Sequence, residues 1–365
     1  MMPNIPENEK VSTYFVLFLI IAGQLGTAAL GFQRIVLISA GFDAWISIIV
    51  AGLFVHLILY MIYSVLKSGN GDIIYIHRNL FGRWIGDILS TLILLYALMA
   101  AITVFRTYLE IIQVWMFPRM NLWAFSIVFL LLVYYTISGG FRIIGGMATF
   151  SVGIIILMMP IFLFPLQFSE FQNMMPIMKH SILEILGGAK AMTLSYLGFE
   201  AVLLYYPFIK KAKNSQRWAH AGASFTMFFY IYIGLISFAF YSEEQLNRTI
   251  WATLSLFKIV EMPFVERFEY IGVSLWAVIV LANILITIWV TSYGANRVFS
   301  IKQNVALPII LVIIFISINL LSSRAGVNNL NDYMAKIGFY TMVTYIPFIF
   351  IFQKVKKRMK RRDGK

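Results

Sequence analysis

Long apolar runs decide what this chain can become. Ten of them, at roughly 12–38, 44–66, 84–115, 121–138, 147–166, 184–207, 218–241, 271–296, 305–321 and 337–353, each come near or exceed the ~20 residues that a bilayer-spanning helix needs. Inside lipid the backbone must satisfy its own hydrogen bonds, so runs of this length read as helices. With 60% hydrophobic and 12% charged residues and a mean hydropathy of +0.82, the chain lies outside soluble usage. The expected organisation is an N-terminus at 1–11, an all-α integral membrane domain of ten transmembrane helices at 12–353, and a basic tail at 354–365.

Ten crossings put both termini on one side, and charge says which. Nineteen Lys and Arg fall at the termini and in the loops of that side. Seven fall on the other: Arg119, Lys179, Arg248, Lys258, Arg267, Arg324 and Lys336. The bias makes both termini cytoplasmic. The opposite segment 242–270, with Glu243, Glu244, Glu261, Glu266 and Glu269, is acidic. The net charge of +13 does not point to nucleic acid, because the basic residues gather in short loops and in the tail KVKKRMKRRDGK rather than along a groove with aromatics. There is no cysteine, which excludes disulfides and thiolate chemistry. The polar start MMPNIPENEK and the long first apolar run argue against a cleaved signal peptide.

Two of the runs are defective as helices. Residues 184–207 read EILGGAKAMTLSYLGFEAVLLYYP, with Ser195, Gly198 and Glu200 at the middle. A charge and a helix break at membrane depth require protein or a polar cavity to face them. The competing reading is a carboxylate hydrogen-bonded to another helix, with Gly198 serving close packing. The first run has the same defect, Gly23, Gln24, Gly26 and Thr27 at its centre. Glycine costs about 1 kcal/mol in a helix interior relative to alanine, so these residues mark an unwound point unless they too only allow close packing. Breaks in spans 1 and 6, five spans apart, point to a five-plus-five inverted repeat with interrupted helices 1 and 6. A small solute would then sit between Gly23, Gln24, Gly26, Thr27, Ser195, Gly198 and Glu200.

Other anomalies carry less. Arg106 and Glu110 stand i, i+4 on span 3 and read first as a mutually neutralising pair, second as groups lining a polar passage. Arg34 and Lys190 are placed to snorkel. His56, with no second histidine at helical spacing, reads as packed rather than metal-ligating. SGGFRIIGG after span 4 is a tight turn, GRWIG at 82–86 a packing motif, and Pro160 and Pro165 should kink span 5. No nucleophile elbow, HExxH helix or Walker loop is present. The chain is therefore expected to be no enzyme and to need no cofactor or metal.

LSYLGFEAVLLYYPFIKKAK, the run 252–276 (ATLSLFKIVEMPFVERFEYIGVSLW) with its ERFE at 266–269, and the paired Arg106 and Glu110 resemble the B-subunit family of bacterial spore germinant receptors. That family is similar to the amino acid, polyamine and organocation transporters. The resemblance covers essentially the whole chain and departs from the permeases at the first break, where AGQLGTAALGF replaces a Gly-x-Gly-like turn. It implies a nutrient sensor in the spore inner membrane that binds a small polar nutrient, in the first instance an amino acid, and acts with an A subunit and a lipoprotein C subunit. The alternative is an amino acid or amine permease of the same fold. No carboxylate sits at the first break, which leaves sodium coupling little support, while a proton-coupled role for Glu200 stays open.

Overall fold

The protein is described by a computed structural model covering residues 5–261, 266–321 and 323–363, apart from the side chains of 173 and 360–363. The MPFV portion of the 252–276 run, the first four residues and the last two residues of the tail lie outside the described residues. Among the described residues every regular element is helical, and the one β-bridge joins Val11 to Ile209. In chain order the α-helices are α1 (Phe15–Gln24), α2 (Phe32–Ala40), α3 (Ala44–Gly69), α4 (Ile73–Trp115), α5 (Leu122–Ser138), α6 (Phe141–Met158), α7 (Ile182–Ala191), α8 (Thr193–Tyr196) and α9 (Val202–Tyr205). They continue with α10 (Gln216–Phe240), α11 (Glu243–Arg248), α12 (Ala252–Phe257), α13 (Phe268–Phe299), α14 (Gln303–Leu320), α15 (Arg324–Tyr340) and α16 (Ile346–Asp363). Seven helical stretches among the described residues are long and apolar enough to cross a membrane, and Phe15–Gln24 and Leu122–Ser138 are shorter apolar helices.

Both defective runs are broken. After α1, Leu25 turns extended, Gly26 leaves helical geometry, and a 3-10 turn, Thr27–Leu30, leads through Gly31 into α2. In the other, a capping box of Ser181 and Glu184 starts α7. Leu197 is extended, Gly198 takes φ 111°, and the chain resumes as the 3-10 turn Phe199–Ala201 and then α9. Only glycine adopts that dihedral without strain.

α4, at 43 residues, is too long for one crossing. It bends at Gly82, where φ is 80°, so that the part before the bend is a separate short helix capped by Asp72. GRWIG thus divides its labour: Gly82 makes the bend, and at Gly86 a Cβ would meet the Arg78 amide nitrogen at 2.7 Å. Pro160 and Pro165 do more than kink span 5. With two amide protons missing, α6 gives way to a 3-10 stretch, Met159–Phe168. The last apolar run holds a π-helical turn at Thr341–Tyr345 between α15 and α16.

α13 runs through the middle of the bundle, packed against α1, α4, α6 and α14, and Trp276 on it is fully buried. α3 and α10 pack against each other and against the broken runs, α10 on α1 and α3 on α7. At the basic end the amide of Val11 donates to Phe208 O at 2.9 Å and that of Lys210 to Val11 O at 2.8 Å, which ties the entry of the first broken run to the exit of the second.

Candidate functional site: the cavity between the two breaks

The breaks face each other. A Cβ on Gly23 would lie 2.9 Å from Gly198 O, and one on Gly198 would lie 2.0 Å from Gly23 O, so the two backbones touch. Beside this crossing is a cavity of ≈ 70 Å³. Gly23, Gln24, Gly26 and Thr27 wall it from the first break, and Gly198 and Glu200 from the second. Tyr96 and Thr103 of α4, Asn283 and Thr287 of α13, Asn331 of α15 and Thr341 of the π-helical turn supply the remaining polar side chains. Most of the rest is apolar, including Ile93, Ala97, Ala100, Val104, Leu197 and Met334. A space of that size admits a few waters or a small solute, not a large ligand.

Helix breaks in a dry interior leave carbonyls and amides that must be satisfied. The side-chain amide of Asn283 donates to Ala22 O at 3.1 Å and to Gly23 O at 2.5 Å, and Trp276 Nε1 donates to Gly26 O at 3.2 Å. The end of the other half-helix is served in the same way. Gln24 Nε2 donates to Tyr196 O at 2.9 Å, and the Tyr230 hydroxyl donates to Ser195 O at 2.7 Å. The first break therefore leans on α13, and the second on the first and on α10.

Glu200 is held on two sides. The Tyr96 hydroxyl donates to its Oε1 at 2.5 Å and the Gly198 amide to its Oε2 at 2.8 Å. One oxygen caps the break and the other is fixed by α4. Both retain lone pairs at the cavity, since a carboxylate accepts about four hydrogen bonds. No side chain caps the turn that starts at Gly26 and Thr27.

Of the seven residues expected here, six line the cavity. Ser195 is buried behind its wall. Arg106 and Glu110 stand away from it, and the segment leading into α15 gives each a partner: Arg106 Nε donates to Leu321 O at 2.6 Å, and Glu110 Oε1 lies 3.9 Å from Arg324 Nε. Arg34 reaches Asn247 O at 2.7 Å, and Lys190 rests over the Phe339 ring at 5.1 Å. His56 is satisfied by a partner that helical spacing could not show, His220 of α10, with Nδ1 atoms 2.8 Å apart and the rings stacked. No group of three or more potential metal ligands occurs among the described residues. Sequence reasoning missed Tyr96, Trp276, Tyr230 and Asn283; a lone amide in the apolar run VIVLANILITIWV was the available signal for the last.

Two interrupted helices crossing at a small polar-capped cavity, inside a helical membrane bundle, define a protein of transporter architecture. Among solved structures, a Na⁺-coupled sialic acid symporter in a substrate-bound outward-open state shares the fold with a TM-score of 0.65 at 13% identity, over 92% of this chain and 78% of that one. MhsT in complex with L-phenylalanine matches with a TM-score of 0.63 at 11% identity, over 94% of this chain and 88% of that one. The chain itself belongs to the spore germination protein family, in its germinant-receptor B-subunit branch. The profile of that family matches residues 10–327. The spore germination protein GerQB of Bacillus cereus is 43% identical over 360 residues, 99% of this chain and all of that protein. Spore germination protein A2 of Bacillus subtilis (strain 168) is 23% identical, over 96% of each.

Proposed function

We propose that the chain is the nutrient-binding membrane subunit of a germinant receptor, that it binds a small polar nutrient, an amino acid, between the breaks, and that binding triggers germination. The observation that carries this is the cavity itself: a small space whose polar groups come in part from both interrupted helices, with Glu200 on one side and the turn at Gly26 and Thr27 on the other. A carboxylate suits the start of that turn and an ammonium suits Glu200, so the pair fits a zwitterion. The apolar walls fit a short aliphatic side chain.

The rest of the reading follows from that placement. The bundle crosses the membrane ten times as two five-helix halves of opposite orientation, with both termini cytoplasmic. It sits in the spore inner membrane with A and C subunits, which couple occupancy to germination. A second reading, an amino acid or amine permease, is favoured by one finding: the structural neighbours are described as a symporter and as a protein holding L-phenylalanine.

Filling the cavity tests the site. Spores with normal receptor levels but carrying Ala97→Phe should show a flat dose response to the nutrient that triggers the parent strain. An unchanged dose response would remove the ligand from this cavity. Uptake of labelled nutrient by vesicles holding this subunit alone would favour the permease.

A further inference from the structure

At the basic end of the bundle the tail is not a loose polycation. α16 carries the last span straight into KVKKRMKRRD, and its rotation is fixed from one side: Lys356 Nζ donates to Leu80 O at 2.7 Å and to Asn79 O at 3.1 Å, and Gln353 Nε2 to Val65 O at 3.3 Å. With Lys356 held there, Lys354, Lys357 and Arg358, at i, i+3 and i+4, share another face. That face meets α3 around an open cavity of ≈ 610 Å³. Lys67, Ser64 and Ser68 of α3 line its other wall, and among the described residues no Asp or Glu lines it. Lys67 is half-buried and placed by Gln216, whose Oε1 accepts from Nζ at 2.6 Å. Four cations with hydroxyl donors between them and no counter-charge form a receptor for a dianion or a phosphodiester.

What lies above the cations decides between those. α3 and α16 run side by side in the same direction, and each becomes apolar on moving from the charges into the bundle. Leu53, Leu57 and Tyr60 on α3 are 57%, 48% and 52% exposed. Ile351 and Val355 on α16 are 59% and 49% exposed, while Phe348 turns to α4, its ring stacked on Phe81. Tyr60 and Phe350 touch edge to face across the seam, with ring centroids 6.4 Å apart. From Leu53 to Lys67 this stripe of α3 is ~21 Å long at 1.5 Å per residue, the scale of an acyl chain. A cationic pocket at the end of an exposed apolar stripe has the polarity of one amphiphile.

We propose that the seam between α3 and α16 is a specific site for an anionic phospholipid, its phosphodiester held by Lys67, Lys354, Lys357 and Arg358 and its chains lying along the exposed stripes. Juxtamembrane basic pockets between helices bind anionic headgroups by this chemistry. The occupant is lipid and not a soluble acidic partner, because the exposed apolar stripe runs on from the cations along helices long and apolar enough to cross a membrane.

The full-length chain, purified in detergent and offered phosphatidylglycerol or phosphatidylcholine, tests this by native mass spectrometry and by thermal melting. The wild type should retain phosphatidylglycerol preferentially and melt higher with it. Lys354→Gln/Lys357→Gln/Arg358→Gln should weaken that retention on the order of tenfold or more and abolish the melting shift. A triple change of equal charge on the same end, Lys213→Gln/Arg217→Gln/Lys302→Gln, should leave both intact. Ser68→Glu, at an exposed position inside the pocket, should reproduce the loss without touching the tail. Equal loss in both triples would reduce the effect to bulk charge and overturn the site. Unchanged retention in the first triple and in Ser68→Glu would overturn it as well. A melting shift given equally by inorganic phosphate would show a free-anion site and overturn the lipid assignment.

Discussion

Gly23 and Gly198, 175 positions apart, cross backbone to backbone with no room for a Cβ on either. This contact explains why both runs break where they do. Each interrupted helix must surrender its hydrogen bonds beside the other: Gln24 of the first run reaches the Tyr196 carbonyl of the second, while Glu200 caps Gly198 within its own run. The helix breaks and the close packing meet at the same two glycines.

Alanine at Gly198 should therefore be worse than alanine at Gly23. Gly198 combines φ 111° with a Cβ position 2.0 Å from a carbonyl oxygen, whereas the Gly23 contact is 2.9 Å at an ordinary φ. The dihedral alone costs about 1–2 kcal/mol. Spores with Gly198→Ala should give a flat dose response and a lower receptor level, and Gly23→Ala a weaker defect in both. Equal behaviour would separate the glycines from the crossing.

Asn283 should be a stability residue first. Its amide serves two carbonyls at the end of α1, so Asn283→Leu leaves two buried acceptors unsatisfied at about 1–3 kcal/mol each. Purified Asn283→Leu should melt several degrees below the wild type. A melting temperature unchanged from wild type would mean that water or another donor already serves those carbonyls.

How much of this was legible follows from what a polar residue reveals locally. Gly23, Gly26, Gly198 and Glu200 are anomalies against their own apolar surroundings, so the breaks could be read. Asn283 is one amide in a helix otherwise fit for lipid, and its partners lie about 260 positions away. Adjacency of helices, which no periodicity encodes, assigns its role. The same holds for His56, whose partner His220 lies on another helix. Pro160 and Pro165 were legible as a disturbance, but not the 3-10 geometry that absorbs it.

The charged groups of α4 should couple outward rather than only to each other. Glu110 Oε1 is 3.9 Å from Arg324 Nε, and Arg324 is half-exposed, so their coupling should be up to roughly 1 kcal/mol. In a double-mutant cycle read by thermal melting, Glu110→Gln and Arg324→Gln should be less than additive. The double change Arg106→Gln/Glu110→Gln should recover only part of the loss from Glu110→Gln. Full recovery there, with additive Glu110 and Arg324, would make Arg106 and Glu110 a private pair.

The orientation proposed from charge bias can be probed where the structure exposes the chain. Ser215 is fully buried, with its hydroxyl donating to Ala212 O at 2.7 Å and lying 2.9 Å from the Tyr63 hydroxyl, so a cysteine there would report burial rather than sidedness. Lys213 and Glu244 are exposed, and the chain has no native cysteine. Lys213→Cys should be shielded from an impermeant thiol reagent in sealed cells, and Glu244→Cys labelled. The reverse pattern would invert the topology.

Glu200 is where cap and ligand group must be told apart. Its two oxygens are anchored by Tyr96 and Gly198, which predicts two separable effects. Glu200→Gln keeps a carbonyl oxygen to accept from the Gly198 amide and keeps an atom beside Tyr96, so the fold should persist. It loses the charge proposed to meet an ammonium, which should weaken the response by about 1–2 kcal/mol, roughly five- to thirtyfold in the nutrient concentration for half-maximal germination. Tyr96→Phe leaves the charge and removes one donor that orients it, so its shift should run the same way and be smaller. Both are read in spores at normal receptor level, alongside the melting temperature of the purified subunit. If both variants lowered the melting temperature and left the dose response where it was, Glu200 would be a cap for the break alone, and the nutrient would have to be sought elsewhere in the bundle.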